Sequence, residues 1–178
     1  MEKNDRKYIR NIAVHEAGHA VVSEILEPES VSLVSVCRYS GATEGVTVIR
    51  KPDDYKISKT VQEHEVIRRL AGKAATEMVY GLADIGYNSD LHKAFDHVME
   101  FVDNYCSYGF DAFEGNNSSG YLLEKRDRMV AEEMDKYYRQ AKQIIVENRV
   151  LLDMITQELV EKKTITHRDI KAIRAKIA

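Results

Sequence analysis

Two histidines and a glutamate occupy one turn of a run that is otherwise apolar. They are His15, Glu16 and His19, within the stretch NIAVHEAGHAVVSEIL of residues 11–26. Positions i and i+4 share one face of an α-helix, so the two imidazoles can reach one metal ion at about 2.0–2.1 Å, the distance that zinc prefers. The side chain of Glu16 can then curl towards a water bound to that metal and take its proton.

The five-residue pattern H-E-x-x-H has an ordinary alternative, an exposed helix whose charges face water. The pattern arises by chance in roughly one in fifty chains of this composition. The neighbouring residues are apolar, which argues against an exposed face. Two histidines buried there without partners would cost several kilocalories per mole, and a bound metal would offset that cost. Gly18, inside the same helix, has two interpretations of equal weight: a close approach by a hairpin or substrate, or a contact between two helices.

A catalytic zinc site usually has three protein ligands and one position for water. The residues after His19 contain no further histidine at H-x-x-G-x-x-H spacing, and neither Glu24 nor Glu27 shares the His15–His19 face. The third ligand therefore comes from farther along the chain. The candidates are acidic and histidine side chains in the next two predicted helices: Glu63, His64, Glu65, Glu77, Asp90, His92, Asp96 and His97.

The remaining pattern predicts a single domain over residues 1–178 that is mainly α with a small β-hairpin or sheet. The two prolines, Pro28 and Pro52, leave room for long helices, and β-branched residues that roughly alternate predict a hairpin at about 31–51. Ser58 and Gly81 suit the start and end of a helix, and Thr166 with Asp169 resembles a capping box. The predicted helices span about 5–26, 58–81, 89–108, 123–148, 149–163 and a last segment from Thr166.

Almost the whole chain, from about residue 5 to 175, resembles the zinc-peptidase domain of FtsH-type AAA proteases. HEAGHAVV is similar to the zinc helix of that family, GVTVIRKPDD to its hairpin strand, and RLAGKAATEMVYG to its Leu-Gly-Gly-Arg-Ala-Ala-Glu-Glu helix. GYNSDLHKAFDHV stands where the family has Gly-Ala-x-Asn-Asp, and ENRVLLDMITQELVEKKTITHRDI resembles its C-terminal helices. The resemblance implies a zincin-like helical metallopeptidase domain.

Carried over position by position, the resemblance implies one Zn²⁺ per chain, with His15, His19 and Asp90 as ligands and Glu16 as catalytic base. Asp90 also falls in the first turn of a predicted helix, where the dipole and free N–H groups favour an ionised carboxylate. An ordinary first-turn acid is the commoner meaning of that placement taken alone. The other histidines, His64, His92, His97 and His167, are interpreted as surface or packing residues.

The chain departs from the family pattern at two places near the site. Thr76 and Glu77 stand where the family tends to have two adjacent glutamates, and Tyr87-Asn88-Ser89 replaces a small residue followed by Asn. The ATPase module and membrane helices of FtsH-type proteases are absent from this sequence, which also contains no Walker A motif. We therefore expect a stand-alone peptidase domain that acts without ATP on flexible or unfolded polypeptides.

Composition excludes several other classes of function. The 178 residues carry a formal net charge of −3 without a long Lys or Arg run, so a nucleic-acid partner is not expected. No apolar segment is long enough to span a membrane, and two cysteines without a C-x-x-C pair suit the cytoplasm. The family implies a hexamer, although its ATPase largely drives that assembly. The alternatives to an endopeptidase are a zinc-binding but catalytically silent regulatory or interaction module, and a structural helical protein without metal.

Overall fold

Six helices and three short strands form the part of the protein that the computed structural model describes, residues 3–37, 45–51, 58–81, 88–103 and 119–177. The helices are α1 (Lys3–Leu26), α2 (Lys59–Tyr80), α3 (Asn88–Asp103), α4 (Gly120–Glu147), α5 (Arg149–Lys162) and α6 (His167–Ile177). The strands are β1 (Val31–Ser35), β2 (Val46–Ile49) and β3 (Thr164–Thr166). The mainly helical class with a small sheet is confirmed.

The predicted hairpin is confirmed as the antiparallel pair β1 and β2, while its SGA turn lies outside the described residues. Val34 pairs with Thr47 and Ser35 with Val46, and the register shifts between Val31 and Leu33. The sheet order is β2-β1-β3, so β2 is an edge strand among the described elements.

Strand β3 was not predicted. Ile165 pairs with Val34 of β1, and the N–H of Val36 donates to the carbonyl of Lys163 at 2.8 Å. Three residues are too few for a recognisable alternation, and this segment becomes a strand because β1 supplies its hydrogen-bond partners. Lys163 precedes it with a φ of 67°, the left-handed conformation that ends α5.

Helix ends follow the capping residues closely. Ser58 accepts a hydrogen bond from Val61 N at the start of α2, and Gly81 ends that helix with a φ of 74°. Asp169 accepts from both the backbone N–H and the hydroxyl of Thr166 at 2.8 Å, at the start of α6. Helix α3 begins one residue earlier than expected, and residues 104–108 of its predicted extent lie outside the described ranges.

Helix α1 lies at the centre of the fold and packs on α2, α5 and the sheet. Its apolar residues between Ala13 and Val22 are buried, and Gly18 lies against α2, where an added Cβ would stand 2.6 Å from Ala71 O and 2.7 Å from Ala75 Cβ. Of the two interpretations of Gly18, the contact between helices is therefore correct. This close packing brings the polar turn of α1 against the middle of α2.

Within the described ranges, every helix falls short of the length and apolar character that a bilayer crossing requires.

Candidate metal centre

The two histidines of α1 turn their Nε2 atoms towards each other. The Nε2 atoms of His15 and His19 are 3.0 Å apart, and the two rings meet edge to face with centroids 4.6 Å apart. This follows from the i, i+4 spacing, which places both side chains on one face of the helix.

Asp90 completes the group from the first turn of α3. Its Oδ2 lies 3.4 Å from Nε2 of His15 and 3.4 Å from Nε2 of His19. Among the described residues, these three form the only group of three or more histidine, cysteine or carboxylate side chains close enough to share one ion. We call His15, His19 and Asp90 the donor set.

The spacing of the donor set fits a tetrahedral zinc site. Ligand atoms at about 2.0–2.1 Å from a tetrahedral zinc lie about 3.4 Å from one another. The two separations of 3.4 Å match the edges of such a tetrahedron, and the third, at 3.0 Å, is somewhat shorter. Two imidazole nitrogens and one carboxylate oxygen are also ligands that zinc accepts, and they leave the fourth position open.

Helix α2 holds two members of the donor set from outside. Nδ1 of His19 donates to the carbonyl oxygen of Arg68 at 2.7 Å. Because a carbonyl oxygen only accepts, the neutral ring carries its proton on Nδ1 and presents a lone pair at Nε2. The next residue, Arg69, lies 3.7 Å from Oδ1 of Asp90 and is itself held by the buried carboxylate of Glu65 at 2.7 Å. Oδ2 of Asp90 is thus left to face the histidines.

Gly72 of α2 provides the room that the His15 ring occupies. A Cβ at this position would stand 2.3 Å from Cε1 and 2.4 Å from Nδ1 of His15. The sequence pattern alone did not single out Gly72, although a glycine in the middle of a helix, in AGK at 71–73, is a signal of close packing.

The charges of the donor set influence one another strongly. Burial lowers the pKa of His15, whereas for His19 the hydrogen bond and charge of Asp90 outweigh burial and raise the pKa. Burial opposes ionisation of Asp90, but its contacts with both histidines hold the pKa of that carboxyl far below its usual range. The carboxylate is therefore ionised at neutral pH, as a ligand must be.

Glu16 lies beside the donor set and is itself buried. The hydroxyl of Thr47, on β2, lies 2.7 Å from Oε2 of Glu16. The backbone of Gly45 passes close by, since a Cβ there would stand 2.6 Å from Oε1 of the same carboxylate. The polar turn of α1 is thus enclosed by α2, α3 and the start of β2.

The other α2 candidates for third ligand have partners elsewhere. His64 meets Glu27 at 3.2 Å, and Glu63 accepts a hydrogen bond from Tyr137 at 3.0 Å. Glu65 is paired with Arg69, as described above. Glu77 faces α4 and accepts from Lys73, Tyr138 and Lys142, the last at 2.8 Å.

On α3, only Asp90 reaches the histidines of α1. His92 and Asp96 are exposed, and His97 is half-buried. Burial and the nearby charges of Arg69 and Lys51 lower the pKa of His97. Asp90 is therefore the candidate that the structure brings together with His15 and His19.

The departure at Thr76 has a local explanation. Thr76 is buried, and its hydroxyl donates back to the carbonyl of Gly72 at 2.9 Å, one turn earlier on α2. A threonine can satisfy its polar group in this way inside a helix. Of the second departure, Tyr87 lies outside the described ranges, whereas Asn88 and Ser89 form the start of α3.

Comparison with known proteins identifies relatives along almost the whole chain. Residues 2–113 match the model of peptidase family M41. The chain is 30% identical over 92% of its length to the ATP-dependent zinc metalloprotease FtsH 2 of Thermoanaerobacter sp. (strain X514), covering 32% of that protein. It is 32% identical over 93% of its length to FtsH 1 of Sorangium cellulosum (strain So ce56), also an ATP-dependent zinc metalloprotease, covering 30% of it.

A third relative, the FtsH 2 metalloprotease of Phytoplasma mali (strain AT), is 29% identical over 97% of this chain, which covers 26% of that protein. The chain thus spans a third or less of the length of these curated relatives. Since the family model matches well over half of the residues, the chain belongs to peptidase family M41.

Proposed function

We propose that this chain is a zinc-dependent endopeptidase that hydrolyses peptide bonds of flexible or unfolded polypeptides. Membership of peptidase family M41 and the zinc metalloprotease names of its relatives support this proposal. The observation that carries it is the convergence of His15, His19 and Asp90, from two helices far apart in sequence, beside the buried carboxylate of Glu16.

In this proposal His15 and His19 would hold one Zn²⁺ through Nε2, and Asp90 would hold it through Oδ2. When bound, zinc acts as a Lewis acid that lowers the pKa of water and polarises a peptide carbonyl. Arg68 and Arg69 act indirectly, by orienting His19 and Asp90 through the contacts described above.

Glu16 is the general base and acid. Its carboxylate takes a proton from the water that attacks the scissile carbonyl carbon, and it passes that proton to the nitrogen of the leaving amine. Glu16 is buried beside the donor set, and its negative charge acts on both His15 and His19. This proximity suits the role.

Strand β2 is the proposed substrate edge. It is an outer strand among the described elements, and it runs next to Glu16 through Thr47. An extended peptide can add to such an edge through main-chain hydrogen bonds. The 178 residues carry no Walker A motif, so we expect the isolated chain to cleave without ATP and to act on polypeptides that are already unfolded.

The test uses the purified chain loaded with one equivalent of zinc and two forms of one substrate, a reduced and alkylated protein and the same protein in its native disulfide-bonded state. We expect cleavage of the unfolded form only, unchanged by ATP and abolished by a chelator. Glu16→Gln should keep one zinc per chain and lose roughly 100-fold or more in rate. Glu132→Gln, the same change on the exposed face of α4, should match the parent.

Zinc retained at one equivalent with no cleavage by the parent would support the silent binding module instead. A zinc content well below one per chain, measured by elemental analysis at neutral pH without chelator, would support a structural protein without metal.

A further inference from the structure

Strand β2 contacts the carboxylate of Glu16 through the hydroxyl of Thr47, and the register of the sheet determines which way Thr47 points. Thr47 pairs with Val34 of β1, and paired residues of an antiparallel ladder point to the same face of the sheet. Val34 is fully buried, so Thr47 faces inward, whereas its neighbour Val48 is exposed. A slip of one residue would turn Thr47 away from α1.

The hydroxyl of Thr47 lies near two acceptors on Glu16, but it has one proton to donate. The distance to Oε2 is 2.7 Å and the distance to the backbone carbonyl oxygen is 3.2 Å. The carboxylate is the stronger acceptor because it is charged, and the shorter distance is typical of an O–H···O⁻ bond. The proton of Thr47 therefore goes to Oε2.

Gly45 limits the carboxylate from the other side. A Cβ on Gly45 would stand 2.6 Å from Oε1, 2.8 Å from Cγ of Glu16 and 2.8 Å from Ile12. The backbone at Gly45, just before β2, thus lies close to Oε1 and Cγ of Glu16. One hydrogen bond and one close backbone contact restrict its rotation.

We propose that Thr47 is a positioning residue for Glu16: its hydroxyl fixes the carboxylate through Oε2 and thereby orients it to take the proton from the attacking water. The kinetic part of this inference depends on the function proposed above; the part that concerns the orientation of Glu16 does not. It also links base and substrate, because the strand that positions Glu16 is the strand proposed to bind the peptide.

The first test measures orientation in the metal-free protein and needs no activity. In protein labelled with [¹³C]glutamate, the side-chain carboxyl signal of Glu16 is assigned by its loss in Glu16→Gln. We expect one sharp signal in the parent and in Thr47→Ser, which keeps the hydroxyl, and a shifted, broadened signal in Thr47→Val, which has the same shape without it. An unchanged signal in Thr47→Val would overturn the inference, whether or not the chain is a peptidase.

The second test compares kinetic constants in the zinc-loaded protein. Thr47→Val should lower kcat about 10- to 100-fold, because a small displacement of a general base from its reactive position lowers the rate strongly. KM and zinc content should stay within about twofold of the parent. Thr47→Ser should restore kcat to within about threefold. The matched control is Thr60→Val, at an exposed position in the first turn of α2, which should match the parent.

A fall in zinc content or melting temperature that accounts for the whole loss in Thr47→Val would assign Thr47 a structural role and overturn the positioning role. An inactive parent with an altered Glu16 signal in Thr47→Val would instead contradict the proposed function and leave the orienting contact supported.

Discussion

Two groups of polar side chains adjoin α2, and they differ in whether each acceptor atom has a hydrogen-bond donor beside it. In the donor set, three atoms that all can bind a metal face one another at 3.0–3.4 Å. In the second group, which we call the Glu77 cluster, the carboxylate of Glu77 meets the ammonium groups of Lys73 and Lys142 and the hydroxyl of Tyr138. Each oxygen of Glu77 there has a donor.

The difference separates a candidate binding site from a structural contact. Lys73 and Lys142 also lie 4.4 and 4.6 Å from the centre of the Tyr138 ring, so the Glu77 cluster is complete within the chain and joins α2 to α4. In the donor set, three potential ligand atoms lie close together, and a cation among them could bind all three. Both Glu77 and Asp90 were candidates for the third ligand, and their partners distinguish them.

Removing one acid from each group tests the difference between them most directly. Asp90→Ala should weaken zinc binding more than about 100-fold, because it removes a ligand and not only an orienting contact. Glu77→Ala should leave zinc affinity within about twofold. Competition with a fluorescent chelator measures both. Equal losses in the two variants would mean that the donor set is wrongly assigned.

A change that fills space should separate the two groups almost as strongly. Gly72→Ala places a Cβ within 2.3 Å of the His15 ring, so we expect that ring to be displaced and zinc affinity to fall about 10- to 100-fold. Gly120→Ala, at the start of α4, is the control, since a Cβ added there would have no described atom within 4 Å. Normal zinc binding by Gly72→Ala, in the same chelator titration, would contradict the geometry of His15.

Acid should weaken the Glu77 cluster in a defined range of pH. Burial alone would raise the pKa of Glu77, but hydrogen bonds from Lys142, Lys73 and Tyr138 lower it from 4.5 to about 2. A folded-state pKa below the unfolded one stabilises the protein above pH 4.5, and that contribution is lost as the pH falls towards 2. After allowance for solvent screening, we expect about 1 kcal/mol.

The measurement is the free energy of unfolding in urea between pH 7 and pH 3, for the parent and Glu77→Gln. The difference between the two proteins should shrink as the pH falls through this range. A constant difference would show that the ion pairs of Glu77 contribute nothing to folding.

The smallest effect is expected at the edge of the Glu77 cluster. Lys142 is almost half exposed, and exposed ion pairs contribute little, so Lys142→Met should reduce the free energy of unfolding by about 0.5 kcal/mol or less at pH 7. Urea denaturation is again the assay. A loss above about 2 kcal/mol would indicate that Glu77 depends on Lys142 far more than its exposure suggests.

The sequence predicted those parts of the molecule that depend on local pattern. Periodicity located the helices within a few residues, and the His15–His19 spacing was enough to place two imidazoles together. Asp90 was different, because spacing left eight candidates and only the resemblance to a family singled it out. Its partners on α1 are brought to it by packing, which no local pattern contains.

What the sequence did not reveal are contacts between residues distant in the chain. Gly72 matters because α2 crosses His15, and Thr47 matters because a strand register turns it towards Glu16. Strand β3 likewise exists because β1 is available to pair with it. Each of these depends on the tertiary arrangement, which propensity and capping do not determine.

The wide separation of the donor set along the chain also has a consequence for folding. Asp90 lies 71 residues after His19, so an ion held by both would close a long loop, much as a covalent cross-link does. Such an ion can bind tightly only after α1, α2 and α3 have packed, and its binding free energy then adds to the free energy of unfolding. The concentration of free metal would therefore influence the fraction of molecules that is folded.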